Sequence, residues 1–165
     1  MSGAPSRARD LEELRALGQR YARAIDARDI DAVAALFHPG ATVEGARGLL
    51  GIGPYLDGLR HAPRVFETSM HVLGEALIEL PPDGDTATPD TATLDTATLD
   101  TATLDTYAVV YQLRAADAAE GDLILGIRYL DEVVRHDGRW VIRSRVARTL
   151  WSRVLRSCAG ASPIS

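Results

Sequence analysis

The spacing of apolar positions changes once along this chain, and the change divides it in two. Leu11, Leu14, Leu17, Tyr21 and Ile25 recur at helical spacing with Arg and Glu between them, which predicts an amphipathic helix from about Asp10 to Ala27. Asp10 followed by Glu13 has the form of a capping box at its start. Asp29 can cap a second, short helix with Ile30, Val33, Leu36 and Phe37 as its inner face, and His38-Pro39-Gly40 predicts its stop. Ala41 to Gly45 reads as a short strand and Ala46 to Gly53 as a glycine-rich loop. Pro54 then starts a third helix ending near His61. From Phe66 the period becomes two. Phe66 to Leu80 predicts a long strand bulged at Gly74, with Ala76, Ile78 and Leu80 on one face. Tyr107–Leu113, Leu123–Arg135 and Trp140–Leu150 predict three more strands, the last two joined by Asp137-Gly138, a strong tight-hairpin signal. Helices followed by an antiparallel sheet make an α+β domain in which the helices cover one sheet face.

Between these halves the pentad Asp-Thr-Ala-Thr-Leu repeats from Asp85, Asp90, Asp95 and Asp100, with Pro89 once in place of Leu, and a fifth copy breaks off after Asp105-Thr106. Solenoid units run to about 20–50 residues, so this is not a repeat fold. A period of five puts successive leucines at 94, 99 and 104 on opposite faces of one straight strand. The run therefore reads as an insertion over about 85–104, a protruding loop that leads into a strand. Its aspartates could meet a calcium ion, but EF-hand spacing is absent.

The rest of the composition narrows the function. The 165 residues are 46% hydrophobic and 25% charged, which suits one globular domain at 10–152 between a loose tail at 1–9 and another at 153–165. The net charge is −5 and no basic stripe is present, which argues against nucleic acid or an anionic membrane as partner. The chain shows neither a membrane-length apolar run nor a secretory leader pattern at its start, so the expected location is the cytoplasm. All 18 basic residues are Arg, and the single cysteine, Cys158, can form neither an internal disulfide nor a zinc cage. No nucleophile motif or glycine-rich nucleotide loop is present, which argues for chemistry without metal or cofactor.

A few polar residues sit where apolar ones would be expected. Asp26 lies near the C-terminal end of the first helix, where the helix dipole opposes an acid, so it is either a solvated acid, an Arg partner or a residue held for a purpose. His71, between Met70 and Val72 in a strand, is either a satisfied core histidine or a general base oriented by a carboxylate. His38, His61 and His136 fall at stops and turns and read as solvent-facing. Arg143 and Arg145 alternate along the last strand and would share a face, exposed or matched by a ligand. Tyr21, Tyr55, Tyr111 and Tyr129 suit a core or a pocket wall, and Trp151 is a further candidate for the wall.

Four segments carry a resemblance in their order. They are Tyr21–Phe37, Thr68–Gly74, Gly126–Asp131 and Asp137–Arg145. Together they resemble the SnoaL-like family of the nuclear-transport-factor-2-like (NTF2-like) superfamily, whose members include scytalone dehydratase, bile acid 7α-dehydratase, hexachlorocyclohexane dehydrochlorinase, isomerases, polyketide cyclases and non-catalytic assembly subunits. The resemblance implies an NTF2-like cone, a curved mixed or antiparallel sheet wrapped around N-terminal helices. It implies that Asp26 on the first helix orients His71 on a strand, with Tyr21 and Arg145 completing the catalytic set. Beside them, Tyr55, Tyr111, Tyr129 and Trp151 are the expected substrate-binding residues. The implied activity is a cofactor-independent lyase of the dehydratase kind acting on a small hydrophobic cyclic molecule, or an isomerase, a cyclase or a ligand-binding subunit on the same fold. Relatives associate through the open sheet face, so a homo-oligomer, trimer or dimer, is expected. Tyr111, Ile127, Tyr129 and Tyr21 depart from the residues that define the named activities, so neither the scytalone nor the hexachlorocyclohexane substrate is implied.

Overall fold

The computed structural model describes residues 7–81, 101–115 and 118–156. Three helices, α1 (Arg7–Asp26), α2 (Ile30–Ala34) and α3 (Ile52–Arg60), lie among seven strands. The strands are β1 (Phe37–Gly45), β2 (Gly48–Gly51), β3 (Thr68–Leu73), β4 (Leu77–Glu79), β5 (Thr101–Leu113), β6 (Asp122–His136) and β7 (Arg139–Leu155). They form one curved, unclosed sheet in the order β2-β1-β7-β6-β5-β3, with β4 also on β5. Only β1 and β7 pair in parallel among the described strands.

α1 buries Leu14, Leu17, Tyr21 and Ala24, one stripe at helical spacing, against the concave face of the sheet. Facing them, β5 buries Ala102, Leu104, Thr106, Ala108 and Val110, each second residue, and β6 buries Tyr129, Asp131 and Val133. The outer face carries exposed apolar side chains, among them Met70, Val72 and Tyr107. Asp29 caps α2 as predicted, its Oδ1 accepting from Ala32 N at 2.9 Å. The β6–β7 loop is the expected two-residue turn: Asp137 and Gly138 both have positive φ, 49° and 73°, the type I′ conformation that follows sheet twist.

Several boundaries differ from the sequence reading, each for a visible reason. α1 starts at Arg7, so Asp10 is not its cap; its carboxylate instead accepts from Trp140 Nε1 at 3.2 Å and from Arg135 Nη2, fastening the helix start to the β6–β7 hairpin. His38-Pro39-Gly40 does not end α2 but lies inside β1, where the register jumps from Phe37 opposite Ile142 to Thr42 opposite Ser144. Pro39, which lacks an N–H, falls in that irregular stretch. The glycine-rich loop is largely β2, folded back on β1 with Gly45 opposite Gly48. Pro54 is the third residue of α3, still within the first turn, whose N–H groups lack helical partners anyway.

The long strand expected over Phe66–Leu80 is two strands on one partner. Leu73 pairs with Ala108 and Leu77 with Asp105, four residues against three, so the one-residue bulge expected at Gly74 is present as a break. Strand β5 begins at Thr101 rather than Tyr107 because β4 and β6 pair its first residues on both sides. The last full pentad therefore belongs largely to the sheet, and the insertion ends before 101 rather than at 104. The earlier copies, with the cation reading of their aspartates, lie outside the described residues. Asp105 is bonded to Arg128, at 2.8 Å from Nε. β7 continues to Leu155, past the expected domain end at 152.

Gly138 tests the hairpin without any packing change, because a Cβ there would meet nothing within 4 Å. Gly138→Ala should lower stability by roughly 1–2 kcal/mol through left-handed backbone strain alone. Urea unfolding should show a lower midpoint at unchanged m; an unaltered midpoint would contradict the type I′ turn.

Candidate active site

α1 ends with its own geometry. Arg28 has φ 55°, Arg28 N donates to Ile25 O at 3.1 Å and Asp29 N donates to Ala24 O at 2.9 Å. This is a Schellman motif with Arg where Gly is usual, and it leaves Asp26 as the last helical residue. There the helix dipole disfavours a carboxylate. His71 supplies the offset twice over. Asp26 Oδ2 accepts the backbone N–H of His71 at 2.7 Å, and Oδ1 lies 2.6 Å from His71 Nδ1. The first bond follows from topology: β3 is an edge of the sheet, so an outward N–H has no neighbouring strand to meet and takes the helix carboxylate instead. The Asp26 and His71 side chains are 21% and 8% exposed, so Asp26 is not a freely solvated acid.

A hydrogen on Nδ1 bonds the carboxylate, so in the neutral imidazole Nε2 is the nitrogen with the free lone pair. The dyad opens onto a cavity of about 380 Å³ whose walls include Tyr21, Ile25, Tyr55, Phe66 and Ser69. Tyr21 and Tyr55 meet hydroxyl to hydroxyl at 3.0 Å. Burial first, and Tyr21 beside it second, push the Tyr55 hydroxyl far above the ordinary tyrosine range, so Tyr55 stays neutral. The Tyr21 ring stands edge-on to His71 at 6.3 Å and to Tyr129 at 6.0 Å. Burial likewise raises Tyr129.

Behind Tyr21 lies the one buried guanidinium in the described core. Arg145 is 2% exposed, and its Nε and Nη2 each reach a carboxylate oxygen of Asp131 at 2.7 Å. Its Cζ lies 4.0 Å from the Tyr21 ring centroid and 4.6 Å from that of Tyr129. Burial alone would lower the guanidinium pKa; the Asp131 carboxylate outweighs it, and the net direction is upward. Arg145 therefore stays charged. It borders a second cavity, of about 530 Å³, and is not among the walls of the dyad cavity. Tyr21 borders both.

Of the residues singled out from sequence, the structure brings Asp26, His71, Tyr21 and Tyr55 to one cavity, with Arg145 and Tyr129 directly behind Tyr21. Tyr111 and Trp151 are elsewhere. Tyr111 pairs with Met70 and Ile124, positions on the outer sheet face, and Trp151 pairs with Gly126, where its indole covers the spot a Cβ would fill. Arg143 and Arg145 do not share a face, since Arg143 is exposed and Arg145 buried. Asp131 pairs with Arg145 and Val133 with Ile142, so β7 carries one extra residue between them, and this bulge inverts the alternation. The same bulge hid Asp131 from sequence reasoning: a regular hairpin about Asp137-Gly138 sets Asp131 opposite Ser144. Among the described residues no three His, Cys, Asp or Glu side chains gather as metal ligands, and no helix is long and apolar enough to cross a membrane.

The sequence pattern of the SnoaL-like domain matches residues 6–146. No curated protein matches the sequence. Among solved structures, hexachlorocyclohexane dehydrochlorinase (LinA) type 2 superimposes with a TM-score of 0.71 at 13% identity, covering 95% of this chain and 96% of that one. A Novosphingobium aromaticivorans protein provisionally described as a scytalone dehydratase gives 0.69 at 18% identity, covering 93% and 95%. Aln2 from a Streptomyces species gives 0.65 at 25% identity, covering 89% and 94%. These likenesses establish the NTF2-like fold.

The Arg145–Asp131 pair gives a sharp stability test. Asp131→Asn leaves a buried guanidinium without its counter-charge and should cost about 3–5 kcal/mol. Asp131→Leu with Arg145→Met, which removes both charges, should recover most of that loss in urea unfolding. A double variant no more stable than Asp131→Asn would show that the pair contributes more than charge matching.

Proposed function

The chain belongs to the SnoaL-like domain family, and from that premise we propose that it is a cofactor-independent lyase that removes water from a small cyclic hydroxy ketone. The observation that carries this reading is Asp26 Oδ1 at 2.6 Å from His71 Nδ1, beside a cavity with mostly apolar walls. Neutral His71 takes the proton next to the substrate carbonyl through Nε2, and the C–H electron pair moves into an enolate. Asp26 holds the tautomer and stabilises the imidazolium. The Tyr21–Tyr55 pair has one hydroxyl proton left over after bonding to each other, and it donates to the enolate oxygen. The imidazolium then returns its proton to the β-hydroxyl, which leaves as water, and His71 is neutral again. In this scheme Arg145 is a positioning residue: it holds the Tyr21 ring from behind rather than facing the substrate.

Isomerisation or ring closure starts with the same proton abstraction, so the product mass decides between them. A panel of cyclic β-hydroxy ketones followed by mass spectrometry should show loss of one water, whereas a product of unchanged mass would replace dehydration by isomerisation. With a turned-over substrate in hand, His71→Ala should lower kcat by about 10²–10⁴-fold. Asp26→Asn should lower kcat too and shift the 15N imidazole spectrum away from the pure Nδ1–H tautomer. Unchanged turnover in His71→Ala would overturn the mechanism.

The same reading makes the protein a homo-oligomer, dimer or trimer, built on the outer sheet face. Met70, Val72 and Tyr107 are 50%, 49% and 56% exposed there, apolar surface that association would bury. Sedimentation velocity should return a dimer or trimer, and Val72→Glu should shift it towards monomer. A wild-type monomer at tens of micromolar would refute the assembly.

A further inference from the structure

The dyad cavity has a polar patch that the reaction leaves unused. Ser69 and Gln112 both border it, and they stand directly opposite each other on β3 and β5. Alternation along each strand turns them to the concave face. Ser69 lies two residues before His71, and Gln112 two residues after the buried Val110. Both are half-buried, whereas Thr68, Met70 and Leu113 beside them are exposed. Phe66, Ile25 and Leu59 make the wall around them apolar. Among the described residues, neither the Ser69 hydroxyl nor the Gln112 amide has a hydrogen-bond partner in the protein. Polar side chains withdrawn from bulk water are ordinarily bonded, so this pair is set to bond what fills the cavity.

We propose that Ser69 and Gln112 are the specificity-determining pair of this cavity and hold a second, neutral hydroxyl of the substrate, on the edge of its ring system remote from the carbon that His71 deprotonates. The inference rests on the dyad reading above and narrows its substrate class. Distance sets the position of the hydroxyl. Two residues of strand separate Ser69 from His71 by about 6.5 Å. A substituent next to the reacting carbon does not reach that far, whereas one on the far side of a fused second ring does. Chemistry sets the group. The serine hydroxyl and the carboxamide each donate and accept, and a hydroxyl can accept from one while donating to the other. A hydrocarbon edge would leave both unbonded. An anion is disfavoured by charge: with His71 neutral, Asp26 and Glu67 on the wall outnumber Arg28, which already gives Nη2 to Ala62 O at 3.3 Å.

The test is an amide-resolved NMR titration of the full chain with rings that have no β-hydroxyl to lose. 6-Hydroxy-1-tetralone carries the remote hydroxyl, 1-tetralone lacks it, and 6-carboxy-1-tetralone puts an anion in its place. The hydroxy ketone should give saturable shifts at the amides of Ser69, His71 and Gln112. It should bind roughly tenfold more tightly than 1-tetralone, the gain of two neutral hydrogen bonds. Ser69→Ala and Gln112→Leu should each narrow that difference and together erase it, by weakening the hydroxy ketone while 1-tetralone binds as before or better. The proposal falls if the hydroxy ketone gives no saturable shift at those amides, if the two ketones bind the unaltered protein equally, if the carboxylate binds as tightly as the hydroxy ketone, or if the double variant weakens both ketones alike. Should the double variant not fold, the three-ligand series on the unaltered protein decides alone. The series reads binding without turnover. An absent hydroxyl preference therefore strikes the pair and leaves the reaction standing, whereas β-hydroxy ketones that lose no water while the preference holds strike the reaction and leave the pair.

Discussion

A guanidinium in a protein interior has to be matched, and in this fold the matching of Arg145 organises everything around it. Asp131 takes two of its nitrogens, and the faces of Tyr21 and Tyr129 take its charge from the sides. Those four residues come from α1, β6 and β7, so the requirement ties the first helix to the last hairpin. Desolvating two ions costs several kcal/mol each, and only close, bidentate geometry offsets that. Loosening any one wall exposes the others to the same cost. The position of Tyr21, and through it the hydroxyl pair with Tyr55, is thereby fixed from behind.

Asp26 shows the complementary economy at the periphery. A single carboxylate, at a helix end whose dipole opposes it, caps an edge-strand N–H and orients an imidazole. Each task alone has commoner solutions: a bulge on an edge strand, a backbone carbonyl on a histidine. Combining them makes the His71 ring orientation a property of how α1 docks, so tertiary packing and the tautomer are not separable.

Much of this was legible in the chain because it is written in local spacing. The stripe on α1, the Asp29 cap and the Asp137-Gly138 turn each depend on a few adjacent residues, and each stands where the pattern places it. The Asp26–His71 contact was visible only through resemblance, since no local rule links residues 45 apart. What stayed hidden were register changes. The extra residue in β7 leaves no mark in composition, yet it turns Arg143 outward and Arg145 inward and brings Asp131 opposite Arg145. Tyr111 and Trp151 failed as wall residues for a related reason: alternation alone does not say which face of a strand is concave.

The start of β5 is the tail of a tandem array, and that has a genetic consequence. Thr101 to Leu104 reads Thr-Ala-Thr-Leu, and the two copies before it read the same. Deleting or duplicating one whole unit by replication slippage would hand the sheet an identical segment, with the Ala and Leu that face the core still in phase. The gene can therefore drift in length at this point while the strand that receives the array stays unaware of the change.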